Sequence, residues 1–214
     1  MKRVKIRLPW AASSQIRKLS LDDGAVLIPV QKEKTILFFG DSITQGYDSA
    51  LPENSYASRL TDHLDWNAVN KAIGGEIFFP ELAATAEDFT PDLISVAYGT
   101  NDWGRCSYEE LESNCRSFYR NLRNTYPHTK IVVLAPIWRI GIDREECACP
   151  FPQLAKLLQD TAEEIGNTVF IDCFEFVPGE EACFSFDFLH PSDEGFRHYA
   201  DALISHYEAI GLLK

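Results

Sequence analysis

Four short polar clusters in this 214-residue chain carry the residue types that acyl chemistry needs. Ser42 follows Thr35-Ile36-Leu37-Phe38-Phe39-Gly40-Asp41, an apolar run that stops at a glycine and an acid, and its hydroxyl is a candidate nucleophile. His190 can exchange a proton near neutral pH, and Asp187, three residues earlier, can hold its ring in one tautomer and stabilise the imidazolium. Gly74-Gly75 and Asn101 offer a backbone N–H and a side-chain amide to a developing oxyanion, with the N–H of Ser42 as a further donor. A nucleophile, a base, a group that orients the base and a set of oxyanion donors are what cleaving an ester through an acyl intermediate requires. Each cluster also has a plain structural use. Asp41-Ser42 could cap a helix, His190-Pro191 could open one, and Gly74-Gly75 and Asn101-Asp102 could be turns.

The clusters gain force from the elements that would position them. Uninterrupted apolar runs suit strands buried on both faces of a parallel sheet. They recur at Thr35–Phe39, Leu93–Ala97, Ile131–Ala135 and Thr168–Ile171, and a more polar second strand is read at Trp66–Ala72. Helical periodicity fills the intervals at Ser55–Leu64, Glu81–Glu87, Leu154–Ile165 and Ser192–Ile210. Ser107-Tyr108-Glu109-Glu110 fits a capping box, opening a helix that ends before Pro127. The alternation predicts an α/β domain: a flavodoxin-like, three-layer α/β/α, doubly wound sheet of about five parallel strands. The clusters follow strands one, two, three and five, so all four fall on the carboxyl rim where such sheets bind ligands. The loop Arg139–Pro152 is long enough to act as a functional flap.

The first thirty residues read differently. Val4, Ile6 and Leu8 alternate with Lys5 and Arg7, the period of a half-buried strand, and Asp22-Asp23-Gly24 is a turn signal. We therefore expect a short N-terminal β appendage over residues 1–33 and a main domain over 34–214. Residues 1–34 hold eight Lys/Arg against three Asp/Glu, a net of +5, which leaves −17 of the total −12 on the remainder. That segment is expected to lie against the acidic body. The overall charge argues against a nucleic-acid partner, since phosphate binding needs clustered Lys and Arg. No apolar stretch is long enough for a membrane span and Met1-Lys2-Arg3 opens no signal peptide, so a soluble, cytoplasmic protein with no membrane partner is expected. The six cysteines read as reduced thiols, and Cys147-Ala148-Cys149 lacks the spacing of a zinc site. No metal and no cofactor is expected.

Gly40-Asp41-Ser42-Ile43-Thr44-Gln45-Gly46 resembles the nucleophile block of the SGNH/GDSL hydrolases. Asn70 to Gly75 is similar to the second block, Gly99-Thr100-Asn101-Asp102 to the third and Asp187 to His190 to the last, so the resemblance covers roughly residues 35–210. It implies a triad of Ser42, His190 and Asp187 and an oxyanion hole of Ser42, Gly75 and Asn101. It picks Gly75, five residues after Asn70, over its neighbour Gly74. In relatives this domain often follows a β-sandwich, and the resemblance implies that residues 1–33 are the tail of one.

Candidate substrate-binding residues are Asp41, Trp103 and Trp138, the two tryptophans with Phe78 and Phe79 either as a platform for a sugar ring or as the lining of an acyl pocket. The expectation is a serine esterase for small O-acyl groups, with an acetylated carbohydrate as first choice of substrate. A lipase-like or thioester-cleaving enzyme for longer chains is the alternative. A non-catalytic module that binds an ester or glycan is the alternative of another class.

Overall fold

The computed structural model describes residues 2–212. Its centre is a five-stranded, all-parallel sheet: β1 (Thr35–Gly40), β2 (Asn67–Asn70), β3 (Leu93–Ala97), β4 (Lys130–Leu134) and β5 (Thr168–Ile171), in the spatial order β2-β1-β3-β4-β5. The helices are α1 (Ser42–Gln45), α2 (Tyr56–Leu64), α3 (Pro80–Ala83), α4 (Thr100–Arg105), α5 (Tyr108–Thr125), α6 (Phe151–Ile165) and α7 (Asp193–Ala209). The doubly wound α/β architecture read from the sequence is the one observed.

Two apolar cores explain the apolar runs. Ile36 and Phe38 of β1 join Leu93, Val132 and Leu134 in a core covered by α2 and α7. Leu37 and Phe39 join Ile94, Val96, Ile131 and Val133 in the opposite core, covered by α5 and α6. Alternate side chains of β1 thus serve both layers, which is why its interior positions are all apolar. Helix starts follow their caps. Ser55 opens α2, Ser107 and Glu110 form both halves of a capping box on α5, and Ser192 accepts from Gly195 N–H at the start of α7. α6 begins three residues before the expected Leu154 because Pro152 fits the first turn of a helix.

The N-terminal strand is a correction. Residues 2–34 contain no strand, and Val4, Ile6 and Leu8 are 68%, 58% and 47% exposed. The alternation is present, but the side chains that tie the segment to the body are the basic ones. Lys5 and Arg7 pair with Asp62, and Arg3 and Lys32 with Asp65 at 3.3 and 2.8 Å, all at the C-terminal end of α2. Ion pairs tie the segment to α2, and its apolar residues stay exposed. No helix among the described residues is long and apolar enough to cross a membrane.

Candidate active site

Ser42 is placed by a tight strand-to-helix turn. β1 ends at Gly40, where a Cβ would lie 2.2 Å from Thr44 Oγ1, so only glycine lets α1 fold back this closely. Asp41 caps the helix, its Oδ1 accepting from Ile43 N–H at 2.9 Å. Ser42 is the first helical residue, 8% exposed, with its N–H among those a helix start leaves unpaired. Its Oγ lies 2.8 Å from His190 Nε2.

His190 sits on the loop between β5 and α7. Its Nδ1 lies 2.6 Å from Asp187 Oδ2, while Asp187 Oδ1 accepts from Ser185 Oγ at 2.8 Å, Leu189 N–H at 2.9 Å and His190 N–H at 3.0 Å. Burial acts to raise the Asp187 pKa, but the backbone N–H groups of His190 and Leu189, the Ser185 hydroxyl and the His190 ring outweigh it and hold the carboxyl down at about 2. Asp187 is thus ionised and aimed. Phe188, inside this turn, takes a left-handed φ of 51°, rare for a bulky residue, and its carbonyl accepts from Ile140 N–H at 3.0 Å. The long loop after β4 is anchored near both ends, while residues 143–146 between them are exposed. Arg139 donates to Thr100 O and Oγ1 at 3.2 Å, and Ala148 N–H to Trp103 O at 2.9 Å.

The glycine pair occupies the turn Ile73–Glu76, closed by Glu76 N–H donating to Ile73 O at 3.1 Å. Gln45 Oε1 accepts from Gly74 N–H at 2.7 Å, Arg105 donates to Gly75 O at 2.8 Å, and Asn101 Nδ2 donates to Glu76 O at 2.9 Å. Asp102 Oδ1 accepts from Phe78 N–H at 2.9 Å, so α1 and α4 hold the turn from both sides. Gly75 N–H donates to no protein group among the described residues, unlike that of Gly74. Gly75 is required by its φ of 80° rather than by space: a Cβ there would meet only the Arg105 guanidinium, at 3.6 Å.

Two of the three expected substrate contacts, Asp41 and Trp103, are buried in structural roles. Asp41 is 2% exposed and serves as the cap of α1; burial foremost, with the neighbouring Asp102 charge, raises its pKa to about 7. Trp103 is 1% exposed, its Nε1 donating to Cys149 O at 2.6 Å and its ring meeting Phe151 edge-on. Being the first large residue after Asn101-Asp102 on α4, it turns into the core beneath the rim. Trp138 is half-buried against Phe184 and the backbone of Gly179. Phe78 is likewise buried, whereas Phe79 is exposed.

Sequence reasoning passed over the residues beside the histidine. The Tyr47 ring packs on His190 with centroids 4.6 Å apart, and Trp10 packs on Tyr47 at 4.5 Å. Asp48, Asp187 and His190 bring their ligand-type atoms within 4.8 Å of one another, but Asp187 and Ser42 already engage both ring nitrogens of His190. Tyr47 and Asp48 directly follow the nucleophile block, the one signal that pointed to them. Nothing in the composition around Trp10 did so. Asp193, which reads as solvated charge, in fact accepts from Ala50 N–H at 2.9 Å and Asn54 Nδ2 at 2.8 Å, pinning the loop after α1 to the start of α7. All six cysteines are free, and burial raises the pKa of Cys106, Cys115, Cys149, Cys173 and Cys183.

Similar chains of known structure share this fold. A salicylyl-acyltransferase, SsfX3, from a tetracycline biosynthetic pathway superimposes with a TM-score of 0.74 at 19% identity, over 86% of this chain and 57% of its own. A family 2 carbohydrate esterase with a carbohydrate-binding domain from Corynascus thermopiles (Myceliophthora fergusii) gives 0.69 at 17% identity, over 87% and 69%. A family 2 carbohydrate esterase from Clostridium thermocellum, in complex with cellohexaose, gives 0.70 at 16% identity, over 88% and 68%. The chain therefore spans little more than half of the first and about two thirds of the other two. No curated protein sequence matches it significantly. The sequence profile of the GDSL-like lipase/acylhydrolase family matches residues 38–198, most of the domain that carries Ser42, the glycine turn and His190, and the chain belongs to that family.

Proposed function

We propose that the protein is a serine esterase that removes small O-acyl groups, most readily acetyl, from a carbohydrate. The observation that carries this reading is the continuous chain from Ser42 Oγ through His190 to Asp187, at 2.8 and 2.6 Å. In this reading Ser42 Oγ attacks the acyl carbon as His190 Nε2 takes the hydroxyl proton, while Nδ1–H stays on the ring, donating to Asp187. The tetrahedral oxyanion is met by the N–H groups of Ser42 and Gly75 and by the Asn101 amide, whose other hydrogen is anchored on Glu76 O. Collapse expels the alcohol, which leaves with the proton from His190. Water then repeats the sequence on the acyl-Ser42 ester and frees the acid.

Support for a short acyl group on a sugar comes from three directions. A cavity of about 430 Å³, walled by Phe151, Phe174 and Phe176 together with the acids Asp172 and Glu175, does not include Ser42 or His190 in its lining. A net charge of −12 opposes adsorption to anionic lipid surfaces. Two of the similar structures are carbohydrate esterases. The test is a panel of activated esters from acetyl to octanoyl, followed by an acetylated oligosaccharide, with Ser42→Ala as control. The expected result is a kcat/KM that falls steeply with chain length and release of acetate from the sugar. Octanoyl hydrolysis equal to acetyl, with acetylated sugars inert, would move the assignment to a lipase or thioesterase. Ester binding without turnover would move it to a binding module.

A further inference from the structure

The loop after α1 brings a second carboxylate to the histidine. Asp48 Oδ2 lies 3.8 Å from His190 Nδ1, too far for a hydrogen bond and within ion-pair reach. It is buried and has no hydrogen-bond partner. Leaving a buried carboxylate oxygen unpaired is costly, and Asp48 also holds a left-handed backbone, φ 66°, which most side chains disfavour. The fold imposes both. Trp10 Nε1 donates to Ser49 O at 2.9 Å and its ring backs Tyr47, which backs His190. Asp193 grips Ala50 and Asn54 on the other side. The loop is clasped between the N-terminal segment and the very segment that carries His190, so Asp48 cannot swing away alone.

We propose that Asp48 is a positioning residue for His190. Its charge favours the imidazolium that forms when Ser42 gives up its proton, and it accepts Nδ1–H when Asp187 is not available to do so. Neither carboxylate takes up the proton; it moves from Ser42 Oγ to His190 Nε2 and on to the leaving alcohol. The proposal rests on the reading of Ser42 and His190 as nucleophile and base. The carboxylates facing the ring are Asp187, from the loop before α7, and Asp48, from the loop after α1. The Ser42 hydroxyl and the Tyr47 phenol ring are its other polar neighbours, and Arg139 is the cation whose field reaches Asp187.

The test compares Asp48→Asn, Asp48→Gly, Asp187→Asn and the double variant Asp48→Asn/Asp187→Asn on an activated acetyl ester. Asn and Gly both tolerate the left-handed backbone, so the two single changes at 48 remove the charge with the least strain, and thermal melting checks that each folds. Both should lower kcat about tenfold with KM unchanged, and the acidic limb of the kcat/KM profile should move to lower pH, because a charge that favours the protonated ring is gone. The double variant should lose more than the product of the two single losses, since Asp48 no longer stands in for Asp187. Wild-type kcat and pH profile in both variants at 48, a loss of kcat without movement of that limb, or a double variant no worse than Asp187→Asn would each overturn the proposal. A Ser42→Ala protein that stays active would instead overturn the underlying reading of the site.

Discussion

Asp41→Asn should stabilise the protein at pH 8 and leave it nearly unchanged at pH 4. Asp41 is buried beneath the nucleophile, and burial raises its pKa from 3.8 to about 7. Well below pH 3.8 the carboxyl is protonated in both folded and unfolded chains, and at pH 4 the difference is still small. Between pH 4 and pH 7 the unfolded chain releases the proton while the folded chain keeps it, and stability falls as pH rises through the folded value. At about 1.4 kcal/mol per pH unit, the span from 3.8 to about 7 amounts to an upper figure of about 4 kcal/mol, fully lost by pH 8. Asparagine keeps an oxygen to accept the Ile43 N–H, so the cap survives while the ionisation is removed. For a domain of this size the gain at pH 8 corresponds to a Tm higher by roughly 10 °C. Urea unfolding of both proteins at pH 4, 6 and 8, followed by tryptophan fluorescence, reads it directly. A stability difference that is the same at pH 4 and pH 8 would refute the reasoning, as would a variant less stable than wild type at pH 8.

Four further outcomes follow from the geometry. Ser42→Ala should abolish ester turnover and covalent labelling by a serine-directed phosphonate while melting like wild type; a retained acyl burst would assign the nucleophile elsewhere. Asn101→Ala should lower kcat about a hundredfold with little change in KM, because its amide bonds strengthen as charge develops on the carbonyl oxygen, and a raised KM at constant kcat would make it a substrate-binding residue. Gly75→Ala forces a Cβ onto a φ of 80° and should cost about 1 kcal/mol of stability as well as activity, measured by melting and steady-state kinetics together; loss of neither would show the turn to be indifferent to this residue. Trp10→Ala, by loosening the loop that carries Tyr47 and Asp48, should lower kcat about tenfold, and kinetics identical to wild type would detach the N-terminal segment from the site.

Much of the scaffold was legible because it depends on local pattern. The Leu93–Ala97 and Thr168–Ile171 strands, the capping box at Ser107 and the stop before Pro127 are written in residues adjacent in the chain, and they occur where periodicity and capping chemistry put them. That the strands run parallel, with their carboxyl ends on one rim, then follows from the βα rhythm, so the placement of Ser42, the glycine turn, Asn101 and the Asp187–His190 turn on that rim could be expected without coordinates. Direction was not legible. Trp103 lies two residues after Asn101 on α4, about 200° around the helix, and Asp41 precedes Ser42 as the extended cap of α1, so both turn into the core. The alternation of residues 4–8 was plain, but which side chains tie the segment to the body was decided by Asp62 and Asp65, some sixty residues away at the C-terminal end of α2. The same holds for Trp10, Tyr47, Asp48 and Asp193. Their contacts join segments separated by about 35 to 145 residues, and pairing at that range leaves no periodic trace, because it is set by how the loops close over the rim.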